Sequence, residues 1–365
     1  MYLLELAGED DRFALREAAT AASRVRPLAA GLATARGVES GAAGVDRLAL
    51  TRRVSRLVGV ASGTVDDALR LLGAAEDPAP PGTATVAVRA RDVRSTTDVD
   101  TRAVERRLGD ALVERGHEVD LESPDHELRA LFSRPDRWSD PGAEERADDA
   151  TAGAGSTDAA VGPTPDEDRE MACALGWLHA EVPREFAPAP TERPFFQPGS
   201  MAPQLARALA NLAGARPGRR LLDPMCGTGG LLVEAGLVGA RPLGVDASER
   251  TARGAAENLR AYADGETLVG DATRLPLRDG AVDGVALDVP YGRQSAVHGG
   301  DPRDLVAGAL AEARRVASRA VVVGDRTWTT AAREAGWTVD TLLCRRVHRS
   351  LVRHVHVLAA AGTDR

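Results

Sequence analysis

The chain has 365 residues, which favours two or three domains, and 43% hydrophobic content lets sizeable cores form. All 46 basic residues are arginine and 54 acids leave a formal net charge of −8, which excludes a uniformly basic nucleic-acid binder and leaves local arginine clusters as the only route to phosphate. No apolar run approaches the ~20 residues of a membrane span, and Met1–Ala7 meets acids too early for a signal peptide, so a soluble cytoplasmic protein is expected.

Arginine in place of lysine on an acidic chain suits solubility in high salt, although a GC-rich genome would deplete lysine as well. Cys173, Cys226 and Cys344 are far apart, odd in number and without metal spacing, so a reducing compartment and no metal site are expected.

In chain order, residues 1–45 read as a helix-rich unit with an opening strand. Residues 46–138 read as a small α/β module. In it, Thr85–Ala90 is a strand, and Thr101–Arg115 is a helix carrying Val104, Leu108 and Leu112, with Gly116 closing it. A strand begins at Val119–Leu121, with Leu128–Phe132 as its partner. Residues 139–170 are acidic, small and proline-bearing from Pro141 to Pro165, and cannot bury enough to order themselves; they read as a linker or insertion. From 171 to 365 strands and helices alternate. Strands are predicted at 220–223, 242–246, 266–269, 283–288 and 319–323, and helices at 203–212, 229–237, 248–261 and 304–317. That pattern gives a parallel, doubly wound sheet, and Cys344–Leu358 adds a late strand pair.

Within this half, Leu221-Leu222-Asp223-Pro224-Met225-Cys226-Gly227-Thr228-Gly229-Gly230 reads as a buried strand turning through glycines into a helix. Gly227 and Gly229 allow a close ligand approach and a sharp turn. The spacing is not that of the dinucleotide fingerprint, which disfavours NAD. The next strand ends in Asp246, where a carboxylate can accept both ribose hydroxyls, and a third ends in Gly270-Asp271-Ala272, where Asp271 can accept an adenine amino hydrogen. Ligands in open α/β sheets bind at the carboxyl ends of strands, so Asp223, Asp246 and Asp271 converge on one crevice. Each could instead cap the following helix.

A later strand ends in Asp288-Val289-Pro290-Tyr291. An exocyclic amine of a purine is a poor nucleophile because its lone pair is delocalised into the ring. Asp288 can accept one of its hydrogens and the Val289 carbonyl the other, since a residue before Pro290 is extended; Tyr291 offers a stacking face. Cys226 inside the glycine turn reads as a small packing residue, not a nucleophile.

These residues resemble class I S-adenosylmethionine-dependent methyltransferases that modify amino groups, whose signature ends Asp-Pro-Pro-Tyr. Val289 stands at the first proline, and restoring proline there is expected to be neutral or mildly helpful. Arg193–Pro203 resembles the segment before the cofactor motif in archaeal tRNA (guanine-10-N2)-dimethyltransferases, as does the tail Val347–His354, and Val119–Asp125 is similar to a THUMP domain. The resemblance covers most of the chain outside 141–170. It implies a Rossmann-like class I methyltransferase sheet, preceded by a THUMP module with a ferredoxin-like N-terminal unit, in a protein of a halophilic archaeon.

It further implies S-adenosylmethionine as cofactor, with Pro198, Cys226 and Ala272 beside it, and tRNA as partner, with N2 of guanosine 10 mono- then dimethylated. Another tRNA or rRNA guanosine, adenine N6 in DNA, or a non-catalytic RNA-binding protein are the alternatives; the THUMP-like half opposes DNA. Candidate RNA-facing cations are Arg89, Arg91 and Arg94, then Arg102, Arg106 and Arg107. Near the end of the chain they are Arg345, Arg346, His348, Arg349, Arg353, His354 and His356. For any one of the arginines, a solvated or ion-paired side chain is the competing reading.

Overall fold

The structure is a computed structural model and describes residues 1–8, 10–78, 82–134, 171–290, 301–348 and 351–361. Tyr291 and Arg349, like the expected linker, lie outside them. The chain forms two compact units, Met1–Ser40 with Leu50–Pro183, and Gly41–Ala49 with Arg184–Arg365.

The first unit is built on strands β1 (Tyr2–Leu6), β2 (Ser23–Ala29), β3 (Leu32–Arg36), β4 (Thr51–Ser62), β5 (Thr85–Asp92), β6 (Glu118–Val119), β7 (His126–Ser133) and β8 (Ala172–Glu181). They form one sheet in the order β2-β3-β1-β4-β8-β7-β5-β6. Helices α1 (Asp11–Ala18), α2 (Val65–Gly73) and α3 (Thr101–Glu114) accompany it. Thr64 and Asp67 cap α2 reciprocally. The predicted stripe on α3 holds, for Val104, Leu108 and Leu112 are fully buried against Val86, Leu128, Phe132 and Leu175, and Gly116 beyond the helix adopts φ +90°.

Three expectations are corrected in this unit. The first 45 residues hold one described α-helix and three strands, because Gly31 at φ +72° turns β2 into β3 as a hairpin. β6 and β7 do not pair with each other; each pairs in parallel with β5. Residue 171 is not a domain start either. β8 fills the sheet between β4 and β7, and its Cys173, Ala174 and Leu175 are fully buried.

The second unit carries strands β9 (Arg220–Asp223), β10 (Arg241–Asp246), β11 (Glu266–Val269), β12 (Gly284–Asp288), β13 (Arg319–Gly324), β14 (Trp337–His348) and β15 (Leu351–Ala360). Its described helices are α4 (Pro203–Leu212), α5 (Gly230–Leu237), α6 (Glu249–Tyr262), α7 (Pro302–Val316) and α8 (Thr329–Glu334). The sheet order is β11-β10-β9-β12-β13-β15-β14. β9 to β13 run parallel, while β15 is antiparallel to both neighbours. Every strand and helix predicted between 203 and 323 is present within two residues of its expected bounds, and the late strand pair begins at Trp337, seven residues before Cys344. The apolar runs of β12 and β13 are buried, as strands covered on both faces must be. Gly284 has no room for a side chain, since a Cβ would sit 1.9 Å from the Ala213 carbonyl oxygen.

Gly41–Ala49 joins this unit because its carbonyls are taken up there. Asn211 Nδ2 donates to the Arg47 carbonyl over 2.9 Å, and Gln204 Nε2 to that of Ala49 over 3.0 Å. No described helix is long and apolar enough to cross a membrane.

Candidate active site

Chain order reverses at β9, with β10 on one side and β12 on the other. A crevice opens at such a switch point, beyond the carboxyl ends of the strands. Asp223, Asp246 and Asp288 end β9, β10 and β12, and Asp271 lies just beyond the end of β11. Four adjacent strands thus deliver four carboxylates to one edge, as the sequence predicted. None of Asp223, Asp246 or Asp271 is a helix cap: α5 starts from Gly229 and α6 from Ser248, and no helix begins at Asp271.

The turn after β9 is held by its own backbone. The Met225 amide donates to Asp223 Oδ1 at 3.1 Å, the Cys226 amide to the Val245 carbonyl at 3.0 Å, and the Gly229 amide to the Cys226 carbonyl at 2.8 Å. Gly227 and Gly229 adopt φ +52° and +76°, a region costly for other residues. A Cβ at Gly227 would meet nothing within 4 Å, so this backbone stands open to a ligand. Cys226 Sγ instead packs inward over Gly244, and burial pushes its thiol well above the usual range, as fits a packing residue.

Asp246 is half-buried. Its Oδ2 accepts from the Gly227 amide at 3.0 Å and its Oδ1 from the Ser248 amide at 2.9 Å. Each oxygen keeps lone-pair capacity for a hydroxyl. Asp271 is exposed, and its Oδ1 accepts from Thr273 N and Oγ1, both at 2.8 Å; Ala272 beside it is buried in the core. Asp223 is fully buried, and burial first, then Asp288 and Asp246, raise its pKa well above the carboxylate range.

Asp288 Oδ1 is buried with no hydrogen-bond partner among the described residues. Burial raises this carboxyl to about 6, opposed by the charge of Arg353. The Val289 amide donates to the Val323 carbonyl at 2.9 Å, and the Val289 side chain is 1% exposed. The residue at the usual proline position therefore holds a sheet bond that proline cannot make.

Several residues here had gone unread. Asn258 of α6 is fully buried; its Nδ2 donates to the carbonyls of Phe195 and Thr228, each at 2.8 Å, and its Oδ1 accepts from the Phe195 amide at 3.0 Å. It ties the glycine turn to the segment bearing Pro198. Ser200 Oγ reaches Thr228 Oγ1 at 3.1 Å from the same segment, and Pro198 itself is exposed. An asparagine on the apolar stripe of α6, beside Ala255 and Leu259, was the available signal.

Several of the candidate arginines have partners within their own unit. Arg89 donates to the Leu121 carbonyl at 2.5 Å and lies 3.9 Å from Glu127, while Arg91 lies 3.7 Å from Glu5. Arg94 pairs with Asp11 and Arg107 with Asp66. These are ion pairs of the first unit itself. Arg353, His354 and His356 are buried, at 7%, 8% and 0% exposure, because β15 lies inside the sheet between β13 and β14. Arg345 is half-buried on β14, opposite Arg353, and Arg346 is exposed.

Residues 190–354 match a family described as UPF0020, RMKL-like, methyltransferase domain. A tRNA (guanine(10)-N2)-dimethyltransferase of Methanothermobacter thermautotrophicus is 49% identical over 112 residues, 30% of this chain and 33% of that protein. Its namesake from Methanocaldococcus jannaschii is 34% identical over 185 residues, 46% of this chain and 48% of that one. A U6 snRNA (guanine-N(2))-methyltransferase of Mus musculus is 35% identical over 107 residues, 28% of this chain and 20% of that one. The chain thus spans about half the length, or less, of these relatives. Among solved structures, TrmN from Thermus thermophilus aligns over 98% of this chain and 99% of that one, with TM-score 0.45 and 21% identity.

Proposed function

Because residues 190–354 match a methyltransferase-domain family, we propose that the protein transfers a methyl group from S-adenosylmethionine to the exocyclic N2 of guanosine in tRNA, at position 10, once and then again. The observation that carries this reading is the buried Asp288 Oδ1 at the end of β12, without a hydrogen-bond partner among the described residues, beside the open glycine turn at the end of β9. The names of the archaeal relatives support the amine and the RNA class.

The residues present fit the cofactor. Asp246 would take the ribose hydroxyls, the open backbone at Gly227 the chain next to the sulfonium, and Asp271 with Ala272 the adenine edge, with Pro198 flanking. When bound, S-adenosylmethionine supplies an electrophilic methyl on a positively charged sulfur. The protein's own part is orientation and proton removal. Asp288 accepts one N2–H and the Val289 carbonyl the other, which turns the nitrogen lone pair out of conjugation with the ring. As the amine nitrogen takes up the methyl it becomes positive, and Asp288 would accept its proton. The stabilisation grows toward the transition state, where it accelerates most. Tyr291 would stack on the base.

In this reading the first unit contains the THUMP-type RNA-binding module and receives tRNA, in a cytoplasmic protein adapted to high salt. The snRNA-modifying relative makes a guanosine in another RNA the second reading. Methylation of a tRNA transcript, followed by nucleoside mass spectrometry, tests both. N2-methyl- and N2,N2-dimethylguanosine are expected, and they should vanish when guanosine 10 is replaced by adenosine. Equal methylation of the replaced transcript moves the target elsewhere, and absence of any N2-methylguanosine in either RNA overturns the proposal.

A further inference from the structure

Asp288 lies opposite Val323 of β13, and Val323 lies opposite Val355 of β15. Paired positions share a sheet face, and so do positions two apart along a strand. Arg353 therefore rises from the same face as Asp288, two strands away. At about 5 Å per strand, that separation is within the joint reach of the two side chains. Arg353 is 7% exposed, and a buried carboxylate persists only where an opposite charge or hydrogen bonds compensate it.

We propose that Arg353 is a positioning residue for methyl transfer, keeping the Asp288 carboxyl ionised and aimed into the crevice. This rests on the methyltransferase reading above.

Among the described residues, the surrounding charges leave that role to Arg353. Asp223 and Asp246, from β9 and β10, are acids and supply no compensating charge; the charge of Asp288 helps raise the Asp223 carboxyl. Arg207 of α4 is paired with Glu234 at 2.7 Å. Asp325, which follows β13, is paired with Arg326 at 3.1 Å. His354 and His356 alternate onto the other face of β15; His354 reaches Cys344 and His356 reaches Trp328.

The test is the pH profile of kcat in wild type, Arg353→Gln and Arg353→Lys. The wild-type acid limb should lie near the Asp288 value of about 6. In Arg353→Gln it should move up by about one pH unit or more, with rates converging on wild type in alkali, and Arg353→Lys should bring it most of the way back. A limb that stays put, or a loss equal at every pH, overturns the proposal, since a merely structural defect would give the latter. A second readout needs no substrate. The difference in thermal midpoint between Asp288→Asn and its parent grows above the unfolded carboxyl's pKa and levels off once native Asp288 is ionised, so the pH at which it levels off reports that ionisation in the wild-type and Arg353→Gln backgrounds. If this levelling point rises in Arg353→Gln while wild type methylates nothing, the functional reading fails and takes the role in methyl transfer with it, while the charge coupling of Arg353 to Asp288 stands. If wild type methylates and the levelling point is unmoved, the inference alone fails. Should Arg353→Gln not fold, Arg353→Met decides: a neutral side chain of similar length should move both readouts in the same direction, and no movement overturns the proposal.

Discussion

The Gly227 amide donates to Asp246 Oδ2 over 3.0 Å, so the turn after β9 and the acid ending β10 hold one another in place. Removing the carboxylate strikes the ligand site twice, through the lost acceptors and through a loosened turn. Asp246→Ala is expected to weaken S-adenosylmethionine binding by about 1–3 kcal/mol, roughly fivefold to 150-fold in Kd. Titration calorimetry checks this, and unchanged affinity would remove Asp246 from the cofactor site.

Asp288→Ala should separate chemistry from binding. Its carboxylate acts most strongly as the amine becomes positive, so turnover is expected to fall about a hundredfold or more. Cofactor affinity and the KM for tRNA should change little. Retained turnover, measured by single-turnover methyl transfer, would place the chemistry elsewhere.

Val289→Pro is expected to harm the protein, contrary to what the family signature suggests. Proline cannot donate to the Val323 carbonyl, which Val289 N reaches at 2.9 Å, and that carbonyl would lose its strand partner. A stability loss of about 1–3 kcal/mol is expected in denaturant unfolding. An equal or higher unfolding midpoint would show that this bond contributes nothing.

Asn258→Leu should uncouple the Phe195–Ser200 segment from the glycine turn. Three hydrogen bonds disappear and leave buried backbone groups unpaired, at a cost of about 2–4 kcal/mol. Proteolysis within 195–200 should accelerate, and saturating S-adenosylmethionine should slow it again if the segment flanks the cofactor. Wild-type protease resistance would refute the tie.

His356 supplies a pH test of the fold. Burial lowers its pKa from 6.5 to about 4, and the ring stays neutral, accepting the Trp328 amide at Nε2 over 3.0 Å. A depressed folded-state pKa gives stability that is present above 6.5 and lost as pH falls through 4. Relative to His356→Gln, wild type should therefore lose roughly 3 kcal/mol between those limits. Parallel stability curves for the two proteins would show that His356 is not held neutral.

The alternation of apolar runs and the glycine turn were enough to place β9 to β13, their helices and the four acids that end or follow the strands, because each of those signals is local. A buried parallel strand declares itself by composition, and a strand-end carboxylate by position. What the sequence could not decide was partnership across long separations. Nothing local in Ala172–Glu181 says that it pairs with β4 and β7, so the acidic stretch before it looked like a boundary. Gly41–Ala49 joins the second unit through hydrogen bonds to Asn211 and Gln204, more than 150 residues away. The arginines show the same limit, since a sequence shows a charge but not the acid that neutralises it: Glu5 for Arg91 and Asp11 for Arg94. Arg353 is the sharpest case. Its spacing beside His354 and His356 resembles a surface strand, yet β15 pairs on both sides, and that pairing leaves Arg353 buried on the sheet face that also carries Asp288.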